Sequence, residues 1–580
     1  MLEKSTETVI SQLLLIGIPL TTVFVLTNVF DPANAPKFFV LGAFAGGMGA
    51  IALAFGSRLL WTHSRLLLIA SLVFLLTSLN SVIQSDSPLT QNIYGLHARN
   101  TGFLTYVFLL IITLAASLIS ESKTFRNLSV AMFIAGGINI VYSVVVIVFG
   151  DFLPWDNPAN YVFGFFGNTN FMGAFLGMFI AGVLAWALGP NLKLWHRAII
   201  IVVSLLAFYV ALKTVAVQGV VVTAAGIFIV GFYFVRSKTK GLSIISLYSL
   251  LGLILGVLAI LGSLQKGPLA QLIYKSTVSI RGQYWHAGIE MGKANPFSGV
   301  GMDAYGDYYR FFRSIKATTT TLNPNTVTNA AHNVVIDFFA SGGWPLLLSY
   351  LAILIIAFIA LVKVTLRSRT YDPRFVAISS IWLCYQLQSI ISINQIGLAI
   401  WGWILSGALV AYERVTRPLP TAADSSSNNP VQGKSSGKNV KKMKNTEQVF
   451  TPQLIGGIGM VIGALLAVPP LASDMNLRSA TDPINLQTID QQLKPGYFTP
   501  TNSFQLANAV VAFESRQAYE LAYTYARRAV EFNPNDFQSW RLLLSISKSS
   551  QAEKELAFET MKRLDPRNPE LVDLVPKPQP

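Results

Sequence analysis

About thirteen apolar stretches, each long enough to cross a bilayer as a helix, decide what this 580-residue chain can fold into. Hydrophobic residues make up 52% of the chain and charged residues only 12%, about half the usual charged share of a soluble protein. A soluble chain of this length would need several domains with polar surfaces, which this composition does not supply. The predicted fold class is therefore all-α, a polytopic membrane helix bundle.

The predicted spans follow one another through most of the chain. They lie near Val9–Phe30, Phe38–Gly56, Leu66–Val82, Gly102–Ile119, Leu128–Phe149, Phe171–Leu188, Ala198–Leu212, Val215–Val235, Leu242–Leu261, Val334–Val362, Phe375–Ile393, Ile396–Ala411 and Leu454–Ala472. The connecting loops alternate in charge, and every second loop carries Lys and Arg. Because cytoplasmic loops of membrane proteins collect these residues, we predict that the basic loops and the amino terminus are cytoplasmic and that the carboxyl terminus is extracytoplasmic.

The net charge of +15 is confined to the first 474 residues, since basic and acidic residues balance from Met475 onward. Topology explains this excess in a chain with so many spans, so membrane lipids and not nucleic acid are the expected surroundings. The single cysteine, Cys384, excludes a disulfide or a cysteine metal site within one chain. The five histidines lack ligand spacing, and we predict neither a metal nor another cofactor.

Composition divides the chain into four parts. We predict a membrane bundle over residues 1–415, which includes an outer loop at 262–331. The stretch 416–449 is rich in Ser, Asn and Lys and nearly free of apolar residues, which predicts a disordered cytoplasmic linker. The last transmembrane helix is predicted at 450–473, and 474–580 are predicted to form an extracytoplasmic helical domain.

Two similar segments mark this last domain. AYTYARRAVEFNPND and AFETMKRLDPRNPE each end a helical apolar pattern at a proline, and Pro534 and Pro566 are 32 residues apart. A tetratricopeptide repeat spans about 34 residues, so we predict two degenerate repeats, each a helix pair. An unrelated helical hairpin domain is the alternative. Repeats of this kind bind peptides or proteins, which predicts a protein partner.

Residues 262–331, the long loop, exceed by far the length of about 15 residues above which loops are usually functional or disordered. The loop is rich in aromatic residues, among them Trp285 and Tyr305, and its net charge is +4. Arginine binds phosphate bidentately and aromatic faces pack on sugar rings, so this composition favours an anionic substrate that carries sugars. A structural cap over the bundle is the alternative.

The end of the long loop and the span after it resemble the O-antigen ligase, O-antigen polymerase and bacterial O-oligosaccharyltransferase superfamily. The matching residues are Arg281, Trp285, Asn295-Pro296-Phe297-Ser298-Gly299-Val300-Gly301, His332-Asn333 and Gly342-Gly343. The stretches Tyr94–Phe103, Phe166–Gly177 and YQLQSIISINQIGLAIWGWILSG resemble further elements of the family. The resemblance covers roughly Tyr94 to Leu409 and leaves the C-terminal domain outside.

This resemblance implies a metal-independent glycosyltransferase in the bacterial inner membrane, with its active site on the extracytoplasmic side. The donor would be a polyprenyl-diphosphate-linked glycan, and the acceptor a hydroxyl of a glycan, a lipid or a protein. His332 matches the family's proposed general base, and Arg281 matches the arginine proposed to hold the donor diphosphate. Both roles fit the chemistry, since a base activates the hydroxyl and a guanidinium stabilises the leaving diphosphate.

The chain departs from the family pattern at Val217, where the family carries a second arginine that binds diphosphate. Lys213, Gln218 and Arg99 are the candidate substitutes. A lysine inside an apolar stretch is costly unless it faces a cavity, which favours Lys213. The remaining predicted substrate contacts are Asn333, Trp285 and Tyr305.

Two other functions stay open at this point. Transporters or flippases of lipid-linked glycans place charges near the middle of the bilayer and are often built from repeated halves. This chain has few such charges and no matching halves. A catalytically silent membrane scaffold that displays the C-terminal domain is the other alternative.

Overall fold

The computed structural model describes residues 2–155, 157, 159–273, 280–321, 324–418, 451–481 and 486–573. Within these ranges the regular structure is helical, and the extended pairing is a single isolated bridge between Gly496 and Thr499. The predicted all-α fold class is therefore confirmed. The predicted linker at 416–449 lies outside the described residues from residue 419 onward.

Each predicted span corresponds to a helix. In chain order the α-helices are α1 (Lys4–Val23), α2 (Asn34–His63), α3 (Arg65–Ile83), α4 (Leu89–Tyr94), α5 (Phe103–Ala116), α6 (Ser122–Phe149), α7 (Thr169–Ala187), α8 (Leu194–Lys213), α9 (Val217–Lys238), α10 (Leu242–Ser263), α11 (Ala270–Ile273), α12 (Arg281–Ala294), α13 (Tyr305–Phe312), α14 (Val334–Arg367), α15 (Pro373–Ser389), α16 (Ile396–Val415), α17 (Pro452–Thr481), α18 (Leu486–Gln492), α19 (Ser503–Ser515), α20 (Tyr519–Phe532), α21 (Phe537–Ser545), α22 (Gln551–Leu564) and α23 (Glu570–Asp573). Eleven of these are long and apolar enough to cross a membrane. The other two predicted spans are shorter helices, the 14-residue α5 and the 17-residue α15.

Helix α17 packs against α2 through glycines spaced four residues apart on both helices. A Cβ atom added at Gly46 would lie 2.1 Å from the carbonyl oxygen of Gly459, and one added at Gly463 would lie 2.0 Å from that of Gly42. Small residues at this spacing let two membrane helices approach until their backbones touch. The last span is thereby fixed to the amino-terminal part of the bundle.

Helix α14 is broken at its glycine pair, and the glycine motif of the long loop, residues 295–301, fills the break. Gly343 has a φ of +63°, and a Cβ atom there would lie 2.2 Å from the carbonyl oxygen of Pro296. The Trp344 N–H donates to the same carbonyl at 2.8 Å. Residues 300 and 301 donate to the carbonyls of residues 340 and 341 at 2.9 and 3.1 Å. The glycine-rich motif of the loop is therefore locked to the helix that carries His332.

The basic loops lie together at one end of the bundle, which we name the basic end. Arg414 donates to the carbonyls of Ser117 and Ile119 at 2.6 and 2.7 Å, and Arg236 donates to that of Thr365 at 2.5 Å. Cations at the carbonyl-rich ends of helices are stabilised there. The loops that the charge pattern assigns to the cytoplasm thus lie at the same end of the bundle. The cytoplasmic location of this basic end stays a prediction.

The C-terminal domain is formed by α19 to α22, whose successive helices pack around a core that includes Phe513, Tyr525 and Leu543. Helix α20 is capped at Asn533 and α22 at Asp565, so both helices end directly before the prolines, as predicted. Two helix pairs are present, and their classification as tetratricopeptide-like repeats stays a prediction.

This domain is fastened to α13 of the long loop by a buried ion cluster. The Asp565 carboxylate pairs with Arg310 at 2.9 Å and with Arg313 at 2.6 Å, and the side chains of Arg313 and Asp565 are fully buried. Nearby, the Asp307 carboxylate accepts hydrogen bonds from Asn533 at 3.3 Å and from Ser87 at 2.6 Å. The C-terminal domain thus rests on the loop that contributes to the site.

Candidate functional site

His332 is held between two residues whose side chains fix the start of α14. The Asn333 amide oxygen caps the helix by accepting from the N–H groups of Val335 and Ile336 at 3.0 and 3.2 Å. The Asp337 carboxylate accepts from the N–H of Ala331 at 2.6 Å. His332 itself has a φ of +55°, an uncommon conformation for a non-glycine residue. These bonds fix the backbone on both sides of His332.

The His332 imidazole is neutral. Burial first, and then the positive charges of Arg99 and Arg281, together lower its pKa to about 3. Its ring is partly exposed, lies 5.6 Å from the ring of Tyr284, and forms no hydrogen bond within the described part of the chain. An anion between the two arginines would offset their charges and raise the pKa of His332, which makes it a stronger base.

Arg281 is the first residue of α12, and this residue is only 8% exposed. Its guanidinium donates to the carbonyl of Ile391, in the connection between α15 and α16, and burial lowers its pKa. A guanidinium has five N–H donors, so this bond leaves others for a ligand. Because its charge also acts on His332, the structure brings together the two residues predicted as catalytic.

Arg99 is the second cation whose charge acts on His332, and it lies in the loop formed by residues 95–101. Its guanidinium makes no hydrogen bond and no salt bridge with any residue that the structure describes, although its charge acts on His332 and on Asp337. Arginines so placed are expected where an anion binds. Of the three candidate substitutes for the missing family arginine, Arg99 is the one that the fold places beside His332.

The loop that carries Arg99 is anchored from several sides. The Asp303 carboxylate accepts from the N–H of Leu96 at 2.7 Å and from that of Thr101 at 3.4 Å. The Asn34 amide donates to the carbonyl of Ala98 at 2.8 Å. Asp303 lies directly after the glycine motif at 295–301, and sequence reasoning missed it. Its position beside that motif is the signal that would have identified it.

A small cavity lies between this loop, the long loop and α14. Its lining includes Arg99, Tyr106, Asp303, Tyr305, Asp337 and Asn394, and it includes Ala330 and Val334 but neither His332 nor Arg281. Cationic, anionic and aromatic side chains therefore meet in one recess. The free space as it stands suits water more than a glycan, so a substrate would have to widen the cavity.

The remaining residues that were predicted to contact the substrate have mainly structural roles. Tyr305 is 2% exposed; its ring lines the cavity, and its hydroxyl donates to the Tyr284 carbonyl at 2.5 Å. The Asn333 amide oxygen is engaged in the helix cap, and the predicted substrate contact of this residue stays a prediction. Trp285 is partly buried, and its indole N–H has no partner within the described ranges.

The structure does not bring Lys213 or Gln218 to the cavity. Lys213 is the last residue of α8, is exposed, and its Nζ stands 5.5 Å from the ring centre of Tyr209. Gln218 is 5% exposed and donates to the Gln388 amide oxygen at 3.2 Å. Neither residue lines the cavity, and their predicted substrate contacts stay predictions.

The other histidines near this end of the bundle stand apart from His332. His97 pairs with Asp474 at 2.7 Å, and His286 is exposed on α12. Among the described residues, no group of three or more His, Cys, Asp or Glu could hold a metal ion.

Arg281 and His332, together with the glycine motif and the α14 break, lie within one continuous segment. Residues 199–351 match the O-antigen ligase family model. This similarity runs from α8 into α14, whereas Arg99 and the C-terminal domain lie outside the matched segment. No curated protein matches the chain. The match supports a glycosyltransferase-like role in polysaccharide biosynthesis for this multi-pass membrane protein, in agreement with a location in the bacterial inner membrane.

Proposed function

We propose that this protein transfers a glycan from a polyprenyl-diphosphate carrier to an acceptor hydroxyl. The observation that carries the proposal is the grouping of one neutral imidazole, His332, with two arginines, Arg99 and Arg281. The imidazole can accept a proton while the two guanidinium groups bind a diphosphate. These are the requirements of glycosyl transfer from a diphosphate-linked donor.

In the proposed reaction, Arg281 and Arg99 bind the two phosphates of the donor. As the bond between the anomeric carbon and the diphosphate oxygen breaks, negative charge grows on that oxygen, and fixed guanidinium groups stabilise it more in the transition state than in the ground state. The bound polyprenyl diphosphate is the leaving group. No metal ion is required for this stabilisation, and activity is expected to survive strong chelators.

The acceptor hydroxyl attacks the anomeric carbon while His332 removes its proton. A new glycosidic bond forms, the imidazole becomes protonated, and it returns the proton to water after the product leaves. General bases of this kind contribute about 10²–10⁴ in rate. The acceptor class, a glycan, a lipid or a protein, depends on groups outside this reaction centre.

We also propose that the site faces the extracytoplasmic side, because the basic end lies opposite to it. A reporter enzyme fused after Pro580 should then be active only outside the cytoplasm, and one fused at Ser435 only inside. The reverse result for either fusion would overturn this orientation.

The decisive experiment is transfer in proteoliposomes that contain a polyprenyl-diphosphate glycan and an acceptor. His332→Ala should remove most transfer and leave donor binding nearly unchanged, since a base acts in the transition state. The matched control is His286→Ala, which removes an exposed histidine from α12. Full activity of His332→Ala would refute the mechanism, and glycan movement across the bilayer without transfer would favour a flippase.

A further inference from the structure

The backbone on both sides of Arg99 adopts a conformation that its own residues do not favour. Residues 95–101 form the loop that carries this arginine, and we name it the Arg99 loop. Ala98 has a φ of +63° and Asn100 a φ of +52°, which is the left-handed region. This region is costly for alanine and tolerated better by asparagine, so it persists where surrounding contacts hold it. The direction in which the Arg99 side chain leaves the backbone therefore depends on contacts from outside the loop.

His97 of the Arg99 loop is held by two residues that lie far along the chain. Its Nε2 atom lies 2.7 Å from a carboxylate oxygen of Asp474, which belongs to the last part of α17. A carboxylate only accepts, so the imidazole donates this hydrogen bond. The His97 ring also stacks on that of Phe504 in the first turn of α19, with 3.9 Å between ring centroids and 4° between ring planes. We name His97, Asp474 and Phe504 the His97 clamp.

The two partners in the clamp are themselves fixed where α17 meets the C-terminal domain. The Ser473 hydroxyl donates to the Pro500 carbonyl at 2.8 Å, and the Gln505 amide donates to the Ser473 carbonyl at 2.7 Å. These bonds join the sequence neighbours of Asp474 and Phe504. The last span and the C-terminal domain therefore present both clamp residues from one joined surface.

The His97 clamp is part of a closed circuit of hydrogen bonds beside the Arg99 loop. The second carboxylate oxygen of Asp474 accepts from the backbone N–H of Asp31 at 2.8 Å. The Asp31 carboxylate accepts from the backbone N–H of Asn34 at 3.1 Å, and the Asn34 amide donates to the Ala98 carbonyl at 2.8 Å. The circuit therefore fixes both His97 and Ala98, the two residues directly before the arginine.

We propose that Asp474 and Phe504 are positioning residues for donor binding, which act through His97 to hold Arg99 at the donor diphosphate. The inference rests on the proposed function, which assigns Arg99 to the diphosphate. The Arg99 guanidinium makes no hydrogen bond with any residue that the structure describes, so the backbone of its loop determines where it lies. A guanidinium on a fixed backbone loses less conformational freedom when it binds, which raises the affinity for a diphosphate. The C-terminal domain thereby takes part in donor binding without touching the donor.

The test is a double-mutant cycle on diphosphate binding. The probe is a labelled polyprenyl diphosphate, which carries the phosphates but no glycan, and it is titrated into His332→Ala protein in nanodiscs so that nothing turns over. Phe504→Leu removes the stacked ring, and Asp474→Asn leaves one acceptor oxygen for two donors. Each change should raise the dissociation constant about fivefold. In an Arg99→Ala background neither change should raise it further, because the clamp acts only through Arg99.

Two further variants separate the stacked ring from general packing. Phe504→Tyr keeps the ring and should restore binding. Tyr519→Leu removes a ring of the same domain that is 39% exposed, close to the 37% of Phe504, and should leave the dissociation constant unchanged. With His332 intact, the clamp variants should raise the KM for the donor and leave the KM for the acceptor unchanged, which a general loss of structure would not do.

An unaltered temperature of thermal unfolding shows that the variants fold. An unchanged dissociation constant in both clamp variants would overturn the inference. An equal loss of affinity in the Arg99→Ala background would also overturn it, since the effect would then not pass through Arg99. Absence of glycan transfer by the unaltered protein, with the result of the cycle retained, would refute the proposed function and leave the positioning of Arg99 standing.

Discussion

At the scale of single residues, the site is an electrostatic unit of one imidazole and two guanidinium groups. Burial, and after it the arginine charges, lower the pKa of His332, which keeps the base neutral but weak. An incoming diphosphate would reverse this effect. Base strength is thereby linked to donor binding, which disfavours activation of a hydroxyl before the donor is present.

Arg99 is predicted to hold donor diphosphate together with Arg281. Arg99→Ala and Arg281→Ala should each lower kcat/KM by about 10²-fold and weaken donor binding, because a diphosphate is charged before and during the reaction. Arg281→Lys should restore activity only in part, since an ammonium lacks the bidentate fork. Donor titration and initial rates measure both effects. Lys293→Ala, which removes an exposed cation from the same helix α12, controls for net charge; an equal loss there would contradict a specific role.

The pH dependence should differ between free and donor-bound protein. A base acts when deprotonated, so activity falls as the pH drops through its pKa. With the pKa of free His332 at about 3, kcat/KM should stay nearly flat from pH 8 down to pH 5. The acid limb of kcat should lie at higher pH, because bound diphosphate raises the pKa. An acid limb at the same pH in both profiles would argue against coupling between the arginines and His332.

At the scale of helices and loops, two close backbone contacts position the site. One joins the loop motif at 295–301 to the break in α14, and the other joins α2 to α17. Both depend on glycine because another side chain would overlap backbone atoms. The first contact joins the segment that carries Asp303 to the helix that follows His332. The second brings Asp474 to His97, two residues before Arg99 in the sequence.

The α2–α17 contact can be tested by enlarging one residue. Gly463→Leu should destabilise the packing by about 1–3 kcal/mol, since its new atoms would meet the carbonyl of Gly42. A disulfide-crosslinking pair placed along α2 and α17 would report the loss of contact. Gly457→Leu is the matched control, because an added Cβ there meets nothing within 4 Å. Equal crosslinking in both variants would contradict the packing argument.

At the scale of the whole molecule, the C-terminal domain helps to hold the long loop of the candidate site in place. Its Asp565 compensates two buried arginines of the long loop, and its Asn533 donates to the Asp307 carboxylate of that loop. Buried charges that lose one partner are strongly destabilising. The position of the long loop therefore depends on a domain that is distant in sequence.

Asp565→Asn is expected to release the domain from the loop. Leaving Arg310 and Arg313 uncompensated should cost about 3–5 kcal/mol and make the long loop sensitive to protease. Limited proteolysis in nanodiscs measures this exposure. Glu559→Gln breaks an exposed pair with Lys562 in the same domain and should change little. Unchanged protection in Asp565→Asn would show that the ion cluster does not hold the domain.

Sequence patterns predicted the helices well because their causes are local. An apolar stretch of sufficient length forms a helix in a membrane, and in the polar C-terminal domain a proline disfavours the helical conformation of the residue before it. The predicted spans, and the helix ends before Pro534 and Pro566, were therefore recovered. Hydropathy did not mark Lys213 as the residue at which α8 ends, because apolar residues continue on both sides of it.

The sequence by itself determined that the chain is a helical membrane protein, that its basic loops share one end, and that His332 and Arg281 are the residues to examine. Only the tertiary structure decided which further cation joins them. Arg99 lies 233 residues before His332, and its place depends on the hydrogen bonds of Asp303 and Asn34 to its loop. Contacts between distant segments follow from packing and hydrogen-bond satisfaction across the whole fold, which no local pattern records.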